Sequence, residues 1–279
     1  MKRREFLQAA GAAGATLGAA WPRCLLADGQ PTDVLVNDVH SKLNATRVQA
    51  IRRPVSIDAL PDLVRASKKE GRAISIAAAR HAMGGQQFGA RTILLDLRGL
   101  NRVLHFDRKK GEIEVEAGIE WPQLIKYLIL AQSGQWPQCG IIQKQTGADR
   151  LSIGGALAAN VHGRGLLRKP FIDDVISFTL IDADGNVHTC SRRENSELFS
   201  LAIGGYGLFG VIARVTLRLT RRLKLRREVK VIHINELMSA FNDRIDDGFL
   251  YGDFQFSTAA GHDEFLRQGI FSCYKPVDD

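Results

Sequence analysis

Gln145-Thr-Gly-Ala-Asp-Arg-Leu-Ser-Ile-Gly-Gly-Ala-Leu-Ala-Ala-Asn-Val-His-Gly-Arg-Gly165 is the stretch on which the reading of this chain turns. It holds five glycines and four alanines, and almost no bulky side chain. A backbone so thinly covered can approach something flat or anionic, because glycine tolerates positive φ and leaves its N–H exposed. Asp149, Ser152, Asn160 and His162 are spaced like contacts rather than like a wetted face. A small-residue helix packed tightly on a sheet accounts for Gly154 to Ala159. It does not account for Asn160, His162 and two further glycines directly afterwards.

Two other small-residue stretches flank this one. Ala79-Arg-His-Ala-Met-Gly-Gly-Gln86 lies upstream, where a short apolar strand runs straight into a loop. Such a loop presents backbone amides to a diphosphate. It is neither a G-x-G-x-x-G fingerprint nor a P-loop. Downstream lies Leu198-Phe-Ser-Leu-Ala-Ile-Gly-Gly-Tyr-Gly-Leu-Phe-Gly-Val-Ile212. In this order the three stretches resemble the pyrophosphate loop, the central flavin-contacting segment and the closing strand-turn of the vanillyl-alcohol oxidase / p-cresol methylhydroxylase (PCMH-type) FAD family. The resemblance runs from Arg47 to Thr220. It implies an α+β, PCMH-type FAD-binding fold of two subdomains over residues 47–222, followed by the start of an α+β substrate or cap domain over 223–279.

The resemblance also implies roles for single positions. Arg80, Gly84 and Gly85 would hold the FAD phosphates, and His81, Ala82 and Met83 of the same loop would also bind the cofactor. Thr146, Gly147, Asp149, Ser152, Gly154, Gly155, Asn160, His162 and Gly163 contact the cofactor from the central segment, and Val211 and Ile212 lay backbone against the flavin. In many members a histidine at the place of His81 is bonded covalently to the flavin 8α-methyl group. The alternative is a histidine that hydrogen-bonds the phosphates or its own loop, and both stay open. Ala77, Ala78 and Ala79 stand where the family usually has more glycine. Attachment through a second residue, a cysteine, is not expected, since its place is near Ala148 and Cys139 lies too early.

His162 and Arg164 are the catalytic candidates. Their order resembles the His-Gly-Lys of the decaprenylphosphoryl-ribose oxidase branch. Arg164 keeps the charge but gives up a proton poorly. It suits stabilising a reduced, anionic flavin better than acting as a base. For His162 the plainer reading is a histidine bonded to backbone beside the ring. The implied activity is transfer of a hydride from a C–H bond of an alcohol, sugar lactone or sugar derivative to flavin N5, with oxygen or another acceptor reoxidising it. A polyprenyl-phosphate sugar is the more specific substrate idea. The alternative is a non-catalytic flavin or nucleotide-binding module, because the chain stops early in the expected cap and reads as truncated. A hydrolase is disfavoured: no Gly-x-Ser-x-Gly surrounds Ser152 and no His-Glu-x-x-His occurs. No metal-ligand spacing is present.

Length and composition are ordinary for a soluble globular protein and predict one large or two modest domains in 279 residues. No run approaches the ~18 apolar residues of a membrane span. Lys2-Arg-Arg-Glu-Phe-Leu-Gln8 and the Ala/Gly-rich stretch after it read as a twin-arginine signal peptide over 1–27, with Leu25-Leu-Ala27 as cleavage site. That route exports folded, cofactor-loaded proteins and predicts a periplasmic or secreted destination. Without Lys2, Arg3, Arg4, Arg23 and Glu5 the net charge falls from +8 to +5. That is too little to argue for nucleic acid. Cys139, Cys190 and Cys273 show no paired spacing.

The remaining chain reads as alternating elements. Residues 28–46 are a polar leader. The spacing predicts a helix from Ser56 to Gly71, then strands over 73–77 and 93–96. Glu112-Ile-Glu-Val-Glu116 alternates like a strand whose glutamates form a solvated face. A helix follows over 121–130, and 134–140 reads as a loop. Ala183-Asp-Gly185 turns a hairpin. The basic run Thr220–Lys230 reads as an edge strand guarded by charge, with attraction for an anionic substrate or a membrane surface as the functional alternative.

Overall fold

The computed structural model describes residues 33–277; the twin-arginine stretch and the expected signal peptide lie outside the described residues. The leader is partly structured. Strand β1 (Val34–Val36) pairs antiparallel with β2 (Thr46–Val48). Val36 and Val48 bury against Ala77 and Leu94, which fixes this ribbon to the body.

β3 (Ala50–Arg52), α1 (Leu60–Lys69), β4 (Ile74–Ala77) and β5 (Ile93–Asp96) form a parallel sheet in the order β3-β5-β4. β5 is buried at every position, as a central parallel strand covered on both faces must be. A short 3-10 turn leads into α1, and its Ser56 hydroxyl accepts from Asp58 N–H. Leu60 and Val64, one turn apart, bury in the core that includes Ile93 and Leu95. Gly71, at φ 64, stops the helix.

The second layer comprises β6 (Val103–Asp107), β7 (Glu112–Glu116), α2 (Trp121–Ala131), β8 (Cys139–Ile141), α3 (Ile153–Ala158), β9 (Val175–Ile181), β10 (Val187–Ser191), α4 (Ser196–Ala202) and β11 (Val211–Arg221). The strands make an antiparallel sheet, β10-β9-β11-β7-β6, with β8 against the far end of β11. β11 is the spine: Val215, Leu217 and Leu219 share one core with Trp121, Leu124, Ile153 and Leu157. The glutamates of β7 are not all wet. Glu116 is fully buried, and its carboxylate accepts from the backbone and guanidinium of Arg102, both at 2.8 Å.

β12 (Leu225–His233), α5 (Leu237–Asp246), β13 (Tyr251–Phe256) and β14 (Gln268–Pro276) form a smaller antiparallel sheet, β12-β14-β13. The basic run expected to be one edge strand is divided: Thr220 and Arg221 end β11, and only Leu225 onward forms β12, an outer strand whose charges stay mostly exposed. β13 meets the end of the glycine-rich stretch. Gly252 N–H donates to Arg164 O at 2.8 Å, and Leu166 N–H to Leu250 O at 3.0 Å. Through this seam the small sheet reaches the site.

Candidate functional site

The three stretches singled out in the sequence converge. After β4 the chain enters the 78–86 loop, where Arg80 takes φ 59 and Gly85 φ 71. α3 and the glycine-rich turn before β11 close around that loop. A cavity of about 290 Å³ results, with Arg80 and His81 on one side, Ser152, Gly154 and Gly155 on another, and Tyr206, Gly207 and Ile212 completing it.

Small residues are a packing requirement here. A Cβ on Gly154 would sit 2.7 Å from Ala117 Cβ and 2.9 Å from Ala117 O. Its N–H donates to that same carbonyl at 2.7 Å. Glycine alone lets α3 lie this close to the end of β7. Ser152 caps α3 by accepting from Gly155 N–H at 3.3 Å.

Unpartnered polar atoms concentrate in this cavity. Arg80 Nε, His81 Nδ1 and both amide atoms of Gln87 are buried without a hydrogen bond, and all three residues line it. Each such group costs about 1–3 kcal/mol unless something meets it. Arg80 is braced from behind: its Nη2 lies 3.1 Å from Asp96 Oδ2, which Arg98 also approaches at 2.6 Å and Arg53 at 3.6 Å. Burial alone would raise the Asp96 carboxyl, but the Arg98 hydrogen bond and the Arg98 and Arg80 charges hold it below the usual range. Three cations on one carboxylate leave positive charge to spare, which suits a diphosphate. Burial first, and then the neighbouring His40, push the His81 imidazole down and favour its neutral form. A neutral ring nitrogen fits both roles left open for His81. The cavity therefore fits FAD: a braced arginine and free donors at one end, and thin glycine and alanine walls beside them.

A second cavity, of about 640 Å³, adjoins the first and shares Ala159 and Val161 with it. Thr146, Gly147, Asn160, His162, Gly163 and Arg164 line it, together with Asp253 and Gln255 of β13. Arg164 Nε donates to Thr146 Oγ1 at 3.1 Å, while Nη1 lies 3.1 Å from Asp253 Oδ1. Gln255 Nε2 donates to Asp253 Oδ2 at 3.1 Å. His162 is exposed, with Nδ1 3.0 Å from Gly163 O.

Most of the site residues inferred from sequence line one of two adjoining cavities. Ala82 joins Arg80, His81, Ser152, Gly154, Gly155 and Ile212 in the first. Met83, Gly84, Gly85, Asp149 and Val211 line neither. Met83 is 57% exposed, and Val211, the first residue of β11, is packed in the core with Leu60 and Ile181. Asp149 is on the outside, paired with Lys144 at 2.7 Å. Asn160 serves the chain itself: at φ 43 it ends α3, and its Oδ1 accepts from Ile172 N–H at 3.1 Å. Gln87, Asp253 and Gln255 escaped the sequence reading. Only the Gln86-Gln87 pair beside the loop glycines offered a signal.

Residues 48–191 match the FAD binding domain family. The chain belongs to this family. The resemblance drawn from the three stretches holds, and FAD is the cofactor of the domain. Among relatives, L-gulonolactone oxidase of Mus musculus is 25% identical over 167 residues, covering 60% of this chain and 36% of the relative. Decaprenylphosphoryl-beta-D-ribose oxidase of Mycolicibacterium smegmatis is 28% identical over 160 residues, 57% of this chain and 33% of the relative. Mitochondrial L-galactono-1,4-lactone dehydrogenase of Arabidopsis thaliana is 30% identical over 149 residues, 53% and 23%. The chain spans well under half the length of these curated relatives.

Proposed function

We propose that the protein is an FAD-dependent oxidoreductase that takes a hydride from a C–H bond of an alcohol, sugar lactone or related sugar derivative. The observation that carries this reading is the meeting of unpartnered Arg80, His81 and Gln87 atoms in one cavity with the small-residue face of α3. When bound, FAD supplies the hydride acceptor, and the protein supplies binding, orientation and charge. Arg80, held by Asp96, binds the diphosphate. His81 either bonds covalently to the flavin methyl group or hydrogen-bonds within the loop.

The second cavity is the substrate side in this reading. Arg164 is fixed by Thr146 and Asp253 and keeps its charge throughout, so it orients substrate and stabilises developing negative charge. His162 is the exposed imidazole there, and it accepts the hydroxyl proton of an alcohol as the hydride leaves carbon. The names of the relatives, two acting on sugar lactones and one on a phosphoryl-linked ribose, support the sugar-derivative class. Oxygen or another acceptor closes the cycle. Export by the twin-arginine route remains part of the proposal and rests on the sequence of residues 2–27. Among the described residues no helix is long and apolar enough to cross a membrane.

The test is anaerobic mixing of the flavin-loaded protein with a panel of alditols, sugar lactones and phosphorylated sugars while flavin absorbance is followed. Bleaching by one class, slowed in His162→Ala, supports the reading. Failure of every alcohol and lactone to bleach the flavin contradicts it.

A further inference from the structure

The match to the FAD-binding family begins at residue 48, yet the loop that would hold the diphosphate is gripped from before that point. Residues 37–44, between β1 and β2, lie over the 80–85 loop. Val39 N–H donates to Arg80 O at 2.9 Å, and Asn44 Nδ2 donates to Met83 O at 2.6 Å. Asn44 also packs against Gly85, where a Cβ would meet its Cβ at 2.9 Å; glycine is what lets the two loops touch. The His40 ring stands edge-on to His81, with centroids 6.1 Å apart.

The upper loop is itself anchored. Asp38 is 2% exposed, and its carboxylate accepts from the backbone N–H groups of His40, Ser41 and Lys42, from the Ser41 hydroxyl and from Asn44 Nδ2. Burial would raise this carboxyl, but those hydrogen bonds, Asn44 foremost, hold it well below the usual range. Asn44 therefore joins a rigid anchor on one side to the diphosphate loop on the other.

We infer that residues 37–44 are a clamp that sets the conformation of the diphosphate loop, with Asn44 as its positioning residue. The inference rests on the FAD reading above. Anion sites built from backbone need N–H groups toward the ligand and carbonyls turned elsewhere. The clamp engages the carbonyls of Arg80 and Met83, two acceptors that would repel a phosphate if they turned toward it. It also steadies Arg80 at φ 59, a backbone conformation that a free loop visits rarely.

The experiment uses full-length apoprotein, produced without flavin, and titrates it with FAD, with ADP (diphosphate without the ring) and with riboflavin (ring without the diphosphate). Asn44→Ala is expected to weaken FAD and ADP by about tenfold, the worth of one lost hydrogen bond. Riboflavin binding stays as in the wild type, and the apoprotein still folds but melts lower, because the variant also loses the Asp38 hydrogen bond. Asn44→Asp, the same size but with no N–H to give the Met83 carbonyl, is expected to weaken FAD and ADP at least as much while riboflavin binding is kept. FAD affinity equal to wild type, equal losses for ADP and riboflavin, or failure of both variants to fold would each overturn the clamp. A wild-type protein that binds no FAD would instead sink the reading on which the clamp rests.

Discussion

Arg164 Nη1 lies 3.1 Å from Asp253 Oδ1, so the last charged residue of the glycine-rich stretch is paired with β13, an edge strand of the small sheet. Both side chains are mostly shielded, at 29% and 16% exposure. Neither charge is then free, and each would be left uncompensated by loss of the other. We expect Arg164→Ala and Asp253→Ala each to lower the melting temperature more than half as much as the double variant does. The coupling in the double-mutant cycle is about 1 kcal/mol, within the range for contacting pairs. Additive losses would show that the pair carries no energy of its own.

Gly154 and Gly147 make a contrast within one stretch. Alanine at 154 drives its methyl into Ala117, whereas a Cβ at 147 meets nothing within 4 Å. Gly154→Ala is expected to cost about 1–3 kcal/mol by overpacking and to weaken FAD binding with it. Gly147→Ala is expected to stay within about 0.5 kcal/mol of wild type. Thermal unfolding and flavin content of the two variants measure both effects.

Asp174 is 4% exposed, and its Oδ2 has no hydrogen-bond partner. Burial pushes its carboxyl up from 3.8 to about 6. The folded state therefore holds this proton more tightly than the unfolded chain does. Its contribution to stability is present below the unfolded value of 3.8 and is lost as pH rises through about 6. Asp174→Asn removes that loss, so it should be more stable than wild type at neutral pH by up to about 3 kcal/mol. The advantage should vanish in acid. Melting temperatures of both proteins across that window provide the check, and parallel curves would contradict it.

Asp96 holds Arg80, which lines the cavity, together with Arg98 and Arg53. Asp96→Asn removes the one negative charge among three positive ones. We expect a loss of about 3 kcal/mol, the scale for breaking a buried ion pair. The wild-type carboxyl is held low, so its contribution is present above the ordinary carboxylate range and fades as pH falls below it. The gap between wild type and Asp96→Asn should therefore narrow in acid, as denaturant midpoints at neutral and acid pH would report.

Much of this was legible in the sequence because its cause is local. The glycines of 145–165 and 204–210 mark close approach and turns by their lack of side chains, and the strands on either side show their own alternation. What stayed hidden depends on partners distant in the chain. Cys139 and Gly140 read as loop because two residues after Pro137 and Gln138 show no pattern; β11 makes them strand by pairing Arg221 with Cys139 and Thr220 with Gly140. Glu116 looked wet because alternation cannot reveal that Arg102 covers it. Asn44 looked like part of a polar leader, since its partner Met83 lies 39 residues on. Asp253 gave no sign of its role, because only the folded seam brings it to Arg164.

If FAD fills the cavity between Arg80, His81 and α3, it stays with the purified protein, and acid precipitation followed by visible spectra of pellet and supernatant reveals it. Flavin is expected in one of the two, in the pellet if His81 carries it covalently and in the supernatant if not. A well-folded protein with flavin in neither fraction, and none taken up on adding FAD, would contradict it.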